Sequence, residues 1–384
     1  MSDSASRVRI AYFVPPSKQV AGIERVVHEI ATALMASHAD LLDVHVVFSS
    51  RYDDELLDEP AYTPHVLGVE RLRGLGPALR GVVAREHVDV LVCPQVEASV
   101  IGWLATRGIG LPVFVAHLHG NPRIEEEEGT RRTRVAFALF RHVVSPRADG
   151  VLTVSPSLAR YAAEAVAPRA PVHFAPNPVR DLAGSVDRSP PGDRFRFVTV
   201  ARLSRQKGQD ILLRALAIAR PRLPPVLLSL VGSGPEEPGL RRLCRDLGLD
   251  DVVEFSGHVG DPTDYLRAAD CFVLPSRWEG FGVVLVEALR FGVPLLAADC
   301  EFGPADVVTD PVIGDLVEPG SPEALAAGLE RAVERRRDPQ GDAARRATTA
   351  EYDVDQATDQ HLAVLRKVVG ARPRPAHLAA FARP

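Results

Sequence analysis

Short runs of apolar residues alternate with longer stretches of helical period along almost the whole chain. Most of these runs are apolar on both faces, as parallel strands covered by helices on each side are. In the first half they are Val8–Val14, Val44–Phe48, Val88–Val92, Val113–Leu118 and Gly150–Val154. In the second half they are Phe195–Val200, Val226–Val231, Val252–Ser256, Cys271–Leu274 and Pro294–Ala297. The pattern predicts an α/β fold with two similar, doubly wound parallel sheets.

The chain length also indicates two domains, because 384 residues exceed what a single core usually holds. The segment RDLAGSVDRSPPGDR is polar and aperiodic, so it marks the junction. We predict a first domain over 1–182, a linker over 183–194 and a second domain over 195–350. A terminal helix over 351–371 can return to the first domain, and the proline-containing stretch 372–384 is expected to be disordered.

Composition narrows the classes of partner. A net charge of −5 gives no general attraction to nucleic acid, which is not expected as a partner. The four cysteines have no metal-ligand spacing, and we interpret them as thiols in a reducing compartment rather than disulfides. The N-terminus has no signal-peptide pattern, and no apolar run approaches the ~18 residues of a membrane span. The protein is therefore expected in the cytoplasm.

One segment leaves peripheral contact with the inner face of a membrane open. RRTRVAFALFRHVV, residues 131–144, joins basic and apolar residues as an interfacial helix does. An ordinary helix of the first domain is the favoured interpretation, with the preceding EEEE supplying ion pairs.

Basic residues stand just after the first predicted strand of the second domain. In open parallel sheets, ligands bind beyond the carboxyl ends of the strands, where loops lead into helices. In VARLSRQKG, Arg202 and Lys207 flank a turn closed by Gly208, and a helix is predicted to begin near Gln209. Two cations before a helix N-terminus form a suitable site for an anion such as a diphosphate.

The stretch EGFGVVLVE places Glu279 and Glu287 eight positions apart. Its glycines let backbone approach a ligand closely, and successive N–H groups can form an anion-binding concavity. These N–H groups belong to Phe281, Gly282 and Val283. Glu279 would address the ligand from the loop and Glu287 from about one turn inside the following helix. A phosphate near the glycines and hydroxyl-bearing rings at the two carboxylates would satisfy this arrangement.

Three further strand ends carry weaker signals. VGSGPEEPG has Glu237 where a dinucleotide fingerprint needs glycine, which disfavours a nicotinamide cofactor. In HLHGN, a general base, a hydroxyl ligand and a packed core histidine all remain open. His119 is the better functional candidate there, and His117 the better structural one. In the first loop, Gly22 and Glu24 begin a helix that is either open to an anion or polar group or simply capped.

In this order, these segments resemble the retaining glycosyltransferases of family 4, which have the GT-B fold of two Rossmann-like domains facing a cleft. The resemblance covers nearly the whole chain and rests on EGFGVVLVE, ARLSRQKG, HLHGN and AGIER. It implies transfer of a hexose or N-acetylhexosamine from a nucleotide-diphosphate sugar to a hydroxyl acceptor, which is a saccharide, a lipid-linked or a small molecule. A UDP-sugar is favoured as donor and GDP-mannose comes second. Bacterial polysaccharide, glycolipid or glycoside biosynthesis is the implied setting.

The resemblance also implies roles for single residues. Arg202 and Lys207 would hold the diphosphate, Glu279 the donor sugar and Glu287 the ribose hydroxyls, while His119 would line the sugar pocket. The remaining donor-binding positions are Gly22, Val259, Phe281, Gly282 and Val283. The acceptor proton would pass to the departing phosphate in a front-face attack.

Neither a cofactor nor a metal is expected. Fixed cations can stabilise the charge on a departing diphosphate, as a divalent metal would. The only literal Asp-x-Asp is Asp353–Asp355, which has no strand-end context and is interpreted as helix surface. Two departures from the family pattern leave donor and acceptor specificity open: Ala21-Gly22 replaces a glycine pair, and Asp306 in FGPAD replaces the usual Glu.

Three other functions compete with glycosyl transfer. A GT-B sugar-nucleotide epimerase would use the same donor groups. A non-catalytic GT-B subunit bound to a partner enzyme is disfavoured by the joint presence of Arg202, Lys207, Glu279 and Glu287. A Rossmann dehydrogenase is disfavoured by the missing fingerprint.

Overall fold

A computed structural model describes residues 7–14, 22–50, 60–69, 72–110, 113–179, 187–335 and 338–383. The chain divides into two compact units, Met1–Arg180 with Tyr352–Pro384 and Asp181–Glu351. The strands are β1 (Val8–Val14), β2 (Leu42–Phe48), β3 (Thr63–Val66), β4 (Val90–Pro94), β5 (Val113–Leu118), β6 (Gly150–Thr153), β7 (Val172–Phe174), β8 (Phe195–Val200), β9 (Val226–Val231), β10 (Val253–Gly257), β11 (Cys271–Leu274), β12 (Leu295–Ala298) and β13 (Gly314–Val317). The helices are α1 (Gly22–His38), α2 (Leu72–Arg85), α3 (Val96–Thr106), α4 (Pro122–Glu128), α5 (Arg131–Leu139), α6 (Pro156–Tyr161), α7 (Gln209–Ala219), α8 (Glu237–Asp246), α9 (Thr263–Ala268), α10 (Val283–Arg290), α11 (Pro304–Val307), α12 (Pro322–Glu334), α13 (Pro339–Ala347), α14 (Val354–Gly370) and α15 (Ala376–Phe381).

The first unit contains a seven-stranded sheet in the order β3-β2-β1-β4-β5-β6-β7. All of its paired strands are parallel. Every residue of β4 and β5 is buried, as continuous apolar runs require. The edge strands β3 and β7 were not predicted, because neither is a continuous apolar run and none of their residues is fully buried.

The second unit contains a six-stranded sheet in the order β10-β9-β8-β11-β12-β13, and its strands also pair in parallel. Five of these strands were predicted, and β13 was missed because its sequence, GDLV, is short and half polar. The predicted fold class of two doubly wound parallel sheets is confirmed.

The C-terminal segment packs on the sheet of the first unit. On α14, Leu362, Leu365 and Val368 belong to the same apolar core as β1 and β2. The expectation of a disordered tail over 372–384 is wrong for its described part, because α15 forms there and buries Leu378 and Phe381 in that core.

Ion pairs hold this tail in place as well. Arg374 pairs with Asp149, and the His377 ring lies 2.9 Å from a carboxylate oxygen of Asp89. These tertiary contacts anchor the C-terminal segment to the first unit.

The described part of the expected linker, 187–194, is anchored to the second unit. Its Arg188 guanidinium is nearly buried, 3.7 Å from the Asp270 carboxylate and 3.4 Å from that of Asp342. The Ser189 N–H donates to the carbonyl of Arg267 at 2.9 Å. Residues 183–186 lie outside the described ranges.

All four cysteines, Cys93, Cys244, Cys271 and Cys300, are free and buried. Among the helices that the structure describes, none combines the length and the apolar composition needed to cross a membrane.

Candidate functional site

The sheet of the second unit changes direction of winding between β8 and β11. The chain runs from β8 outward to β9 and β10, and then returns to place β11 on the opposite side of β8. Loops that leave two such neighbouring strands diverge, and the crevice between them is where open parallel sheets bind ligands. The two loops here are 201–208 and 275–282, which carry the cations and the first carboxylate predicted from the sequence.

An ion pair joins the two loops. The Lys207 ammonium donates to Glu279 Oε1 at 2.6 Å, and the Ser276 hydroxyl donates to the same oxygen at 2.7 Å. The Glu279 side chain is only 5% exposed, whereas that of Lys207 is 21% exposed. Charged groups are rarely buried unless they are paired, and this pair satisfies that requirement. Lys207 and Glu279 stand far apart in the sequence, and they meet at the switch point, the place between β8 and β11 where the winding of the sheet reverses.

Polar contacts around the pair fix the backbone of both loops. The Arg277 N–H donates to the carbonyl of Gln206 at 2.8 Å, and the Gln206 amide donates to the carbonyl of Trp278 at 3.1 Å. The Arg277 guanidinium holds both oxygens of Asp210 at 2.8 and 2.7 Å. Burial raises the pKa of Asp210, but hydrogen bonds and charge from Arg277 outweigh burial and leave that pKa below its usual range. Such bidentate pairs add geometric precision to a site.

Sequence reasoning missed Ser276, Asp210 and Arg277. Asp210 and Arg277 carry opposite charges near the ends of two predicted strands, which was an available signal. Nothing in the local sequence distinguishes Ser276 from an ordinary loop serine, because its contact with Glu279 arises only from the turn between them.

Two glycines in the left-handed conformation start the helices that follow these loops. Gly208 has φ 66° and precedes α7, and Gly282 has φ 87° and precedes α10. A Cβ at Gly208 would lie 2.0 Å from the carbonyl oxygen of Pro275, so the loops approach too closely for any side chain there. The free N–H groups at a helix start carry partial positive charge, and two such starts lie after adjacent strands. The predicted helix starts are confirmed, and Glu287 is the fifth residue of α10.

Two of the three glycines of VGSGPEEPG, Gly232 and Gly234, allow close packing of backbone. A Cβ at Gly232 would lie 2.0 Å from the Ala201 carbonyl oxygen, and one at Gly234 would lie 2.2 Å from that of Leu203. This loop therefore supports the segment that carries Arg202, whose side chain is exposed.

Three further predicted donor-site positions, Val259, Phe281 and Val283, lie in or beside neighbouring loops of the second unit. Phe281 is buried and Val283 is partly buried at the start of α10. Val259 follows β10 and is partly buried. A Cβ at Gly303 would lie 2.0 Å from the Phe281 carbonyl oxygen, so the FGPAD segment with Asp306 packs against the glycine loop.

In the first unit, His119 stands just beyond the carboxyl end of β5. Its ring centroid lies 4.0 Å from that of His117, which is itself fully buried. Burial, with a smaller effect of His361, lowers the pKa of His119 to about 3. At neutral pH this imidazole is therefore uncharged, so it can donate and accept hydrogen bonds but does not act as a fixed cation.

Glu125 is a further candidate that the sequence did not reveal. The EEEE run was expected to supply ion pairs, and Glu126 does so with Arg141 at 2.6 Å. Glu125 instead places Oε1 only 1.8 Å from where a Cβ at Gly120 would lie. Burial, with a smaller effect of Glu97, raises the pKa of Glu125 to about 7. Perturbed carboxyl groups of this kind concentrate at functional sites.

The structure gives less support for a functional role at two other positions singled out from the sequence. Gly22 begins α1, but nothing lies within 4 Å of a Cβ built there, so packing does not demand glycine. Residues 15–21 of that loop lie outside the described ranges. Asp353 and Asp355 are exposed at the start of α14, as their interpretation as helix surface predicts. Within the described ranges, no three His, Cys, Asp or Glu side chains are grouped as a metal ion would require.

Comparison with known proteins covers both units. The profile of glycosyl transferases group 1 matches residues 186–350, and the profile of glycosyltransferase family 4 matches residues 20–181. An uncharacterized glycosyltransferase of Haemophilus influenzae is 33% identical over 134 residues, which are 35% of this chain and 38% of that protein. A GDP-mannose-dependent alpha-(1-6)-phosphatidylinositol monomannoside mannosyltransferase of Mycolicibacterium smegmatis is 34% identical over 252 residues. That alignment covers 60% of this chain and 63% of the relative, so in both cases the chain spans less than two thirds of the relative's length.

Among solved structures, Anabaena HepE in complex with UDP and glucose is similar with a TM-score of 0.74 at 24% identity. The match covers 94% of this chain and 100% of that one, which supports the assignment of the fold. The two adjoining profile matches and the two parallel sheets together show that this chain belongs to glycosyltransferase family 4 and has the GT-B fold.

Proposed function

We propose that the protein is a retaining glycosyltransferase that moves a hexose or N-acetylhexosamine from a nucleotide-diphosphate sugar to a hydroxyl acceptor. The observation that carries the proposal is the ion pair of Lys207 with the buried Glu279, which joins the β8 and β11 loops. A cation, a carboxylate and two helix starts at one switch point suit a ligand with both phosphates and sugar hydroxyls.

The chemistry follows from the charges that develop during transfer. Cleavage of the bond between sugar and diphosphate leaves negative charge on the phosphate, which Arg202, Lys207 and the starts of α7 and α10 can stabilise. Arrival of the diphosphate at Lys207 would relieve Glu279 of part of its ion pair, so that its carboxylate can accept hydrogen bonds from the sugar. Glu287 is assigned to the ribose hydroxyls and the neutral His119 to the sugar.

Two nucleotide sugars are the main candidates for the donor. The mannosyltransferase relative is GDP-mannose-dependent by name, and the HepE structure contains UDP and glucose. We favour a UDP-sugar and place GDP-mannose second. A turnover assay with UDP-glucose, UDP-N-acetylglucosamine and GDP-mannose and a panel of hydroxyl acceptors tests this. Products with the anomeric configuration of the donor support retention, and inverted products would contradict it.

We also propose that transfer needs no divalent metal. Arg202 and Lys207 supply two positive charges for the departing diphosphate, which is the role that a metal has in other transferases. Transfer should persist in excess EDTA. A complete loss of activity that Mg²⁺ or Mn²⁺ restores would refute this part of the proposal.

The same assay distinguishes the competing functions. An epimerase would convert the nucleotide sugar without an acceptor, whereas a transferase requires the acceptor for product. A non-catalytic subunit would bind the nucleotide sugar and turn over none of it.

Peripheral membrane contact is a separate part of the proposal. The helix α5 leaves Val135 53% and Leu139 39% exposed, beside the exposed Arg131 and Arg134. Basic and apolar side chains on one exposed helix face suit an anionic bilayer surface. Flotation with vesicles that contain anionic lipid should carry the protein, and Val135→Asp should reduce the bound fraction. Recovery of all protein in the unbound fraction would leave α5 as an ordinary surface helix.

A further inference from the structure

Two buried histidines of the first unit, His117 and His361, form a continuous cluster with the partly buried His119 and with a tyrosine. The ring centroids of His117 and His119 are 4.0 Å apart, and those of His117 and His361 are 5.6 Å apart. His361 comes from α14, more than 200 positions beyond the other two in the sequence. The Tyr12 hydroxyl, from the middle of β1, lies 2.9 Å from His361 Nε2.

The cluster is unusual because one ring nitrogen of each histidine has no hydrogen-bond partner among the described residues. The Nε2 atoms of His117 and His119 and the Nδ1 atom of His361 are buried without a hydrogen-bond partner among the described residues. Leaving buried polar atoms unpaired costs stability, so apolar residues would pack this core more favourably. Burial lowers the pKa of each of the three rings, and all three are therefore neutral near pH 7.

We propose that His361 is a positioning residue that sets the orientation of His119 through His117. Tyr12 fixes one edge of the His361 ring, His361 packs on His117, and His117 packs on His119. Helix α14 would thereby be part of the functional site of the first unit as well as a cover for its sheet. The inference rests on the proposed function only in assigning His119 to the donor sugar.

Histidine side-chain NMR tests the positioning directly and needs no substrate. His361→Phe keeps an aromatic ring of similar size but loses both ring nitrogens. With ¹⁵N-labelled histidine, the ring signals of His117 and His119 should shift or change tautomer in this variant. Val369→Ala, a buried change two turns further along α14, should leave those signals in place although it also removes packing. Unchanged His119 signals in His361→Phe would overturn the inference.

A double-mutant cycle tests whether the effect reaches the reaction. With UDP-glucose as the probe, His361→Phe should lower kcat about tenfold while the affinity for UDP stays constant, because the groups assigned to the nucleotide lie in the other unit. In a His119→Ala background the same substitution should have no further effect. Independent, multiplying losses would overturn the inference. Shifted His119 signals in a protein that turns over no nucleotide sugar would support the positioning and refute the proposed function.

Discussion

Among single residues, the site depends on a buried carboxylate, Glu279, that is paired with a partly exposed lysine. Glu279 would be costly to bury alone, and it is held by both Lys207 and Ser276. Removal of one partner of a buried ion pair typically costs about 3–5 kcal/mol, since the other charge stays behind. Substitutions at this pair therefore need a check of folding beside any measurement of function.

Substitutions of Glu279 and Glu287 should have different effects on the kinetics of transfer. Glu287→Ala should mainly raise the KM for the donor, because ribose contacts change little as the glycosidic bond breaks. Glu279→Ala should lower kcat by about 10²–10³-fold, the loss seen when a group that stabilises the transition state is removed. Steady-state kinetics together with the affinity for free UDP or GDP separate the two effects. Equal weakening of the bare nucleotide by both substitutions would show that their roles are wrongly divided.

The buried histidines predict acid sensitivity of the first unit. Burial lowers the pKa of His361 from the ordinary 6.5 to about 4, so the unfolded chain takes up a proton that the folded chain refuses. The free energy of unfolding should therefore fall as the pH falls from 6.5 towards 4, by at most about 1.4 kcal/mol per pH unit for each such histidine. Urea unfolding at pH 7, 6 and 5 measures this slope. His361→Phe should flatten it, and an identical slope in both proteins would contradict the assignment.

At the scale of elements, backbone proximity shapes the site as much as side chains do. The loops after β8, β9, β11 and β12 pass within contact of one another, and glycines stand at the points of closest approach: Gly208, Gly232, Gly234 and Gly303. The residues that precede α7 and α10, Gly208 and Gly282, both adopt φ values that favour glycine.

Gly208→Ala should disrupt this arrangement. The new Cβ would meet the Pro275 carbonyl oxygen at 2.0 Å, and φ is 66°, so both sterics and backbone conformation oppose it. We expect a lower Tm and a loss of nucleotide binding, measured by calorimetry. Gly239→Ala is the matched control, because it lies inside α8 with nothing within 4 Å of the added Cβ. That change should raise stability by about 0.5–1 kcal/mol. A Gly208→Ala protein that binds nucleotide normally would refute the steric argument.

The difference between local sequence patterns and tertiary contacts explains which features could be predicted from the sequence. Strands such as β4 and β5 are continuous apolar runs, so their presence and their class of sheet were predictable. Cations and carboxylates at strand ends were predictable too, because the topology of parallel sheets brings those ends together. The helix α15 was not, since only Leu378 and Phe381 mark its buried face. The contact of Ser276 with Glu279 and the route from His361 to His119 depend on packing that no local pattern encodes.

At the scale of the whole molecule, the C-terminal segment completes the first unit. Helices α14 and α15 supply part of the apolar core that covers the first sheet, although they follow the entire second unit in the sequence. We therefore expect the C-terminal segment to contribute to the stability of the first unit.

Leu378→Ala tests this dependence. Leu378 is fully buried, and Leu→Ala changes in such positions cost about 2–5 kcal/mol. Thermal unfolding should show a clear loss of stability. The same change at Leu41, which is 39% exposed, should cost only about 0.5 kcal/mol or less. Equal stability of the Leu378→Ala and Leu41→Ala proteins would mean that α15 does not contribute to the core.

The proposed function requires that the switch point between β8 and β11 binds the diphosphate of a nucleotide sugar. Calorimetric titration of UDP and GDP into the wild type, Lys207→Gln and Lys367→Gln tests it most directly. Lys207→Gln removes the charge but keeps a hydrogen-bond donor for Glu279, and Lys367 is an exposed lysine of the first unit that serves as the matched control. We predict that one of the two nucleotides binds the wild type and Lys367→Gln equally, and that Lys207→Gln weakens it at least about tenfold through loss of a charge-assisted contact. Equal affinity of Lys207→Gln and the wild type, or binding of neither nucleotide to the wild type, would contradict the account.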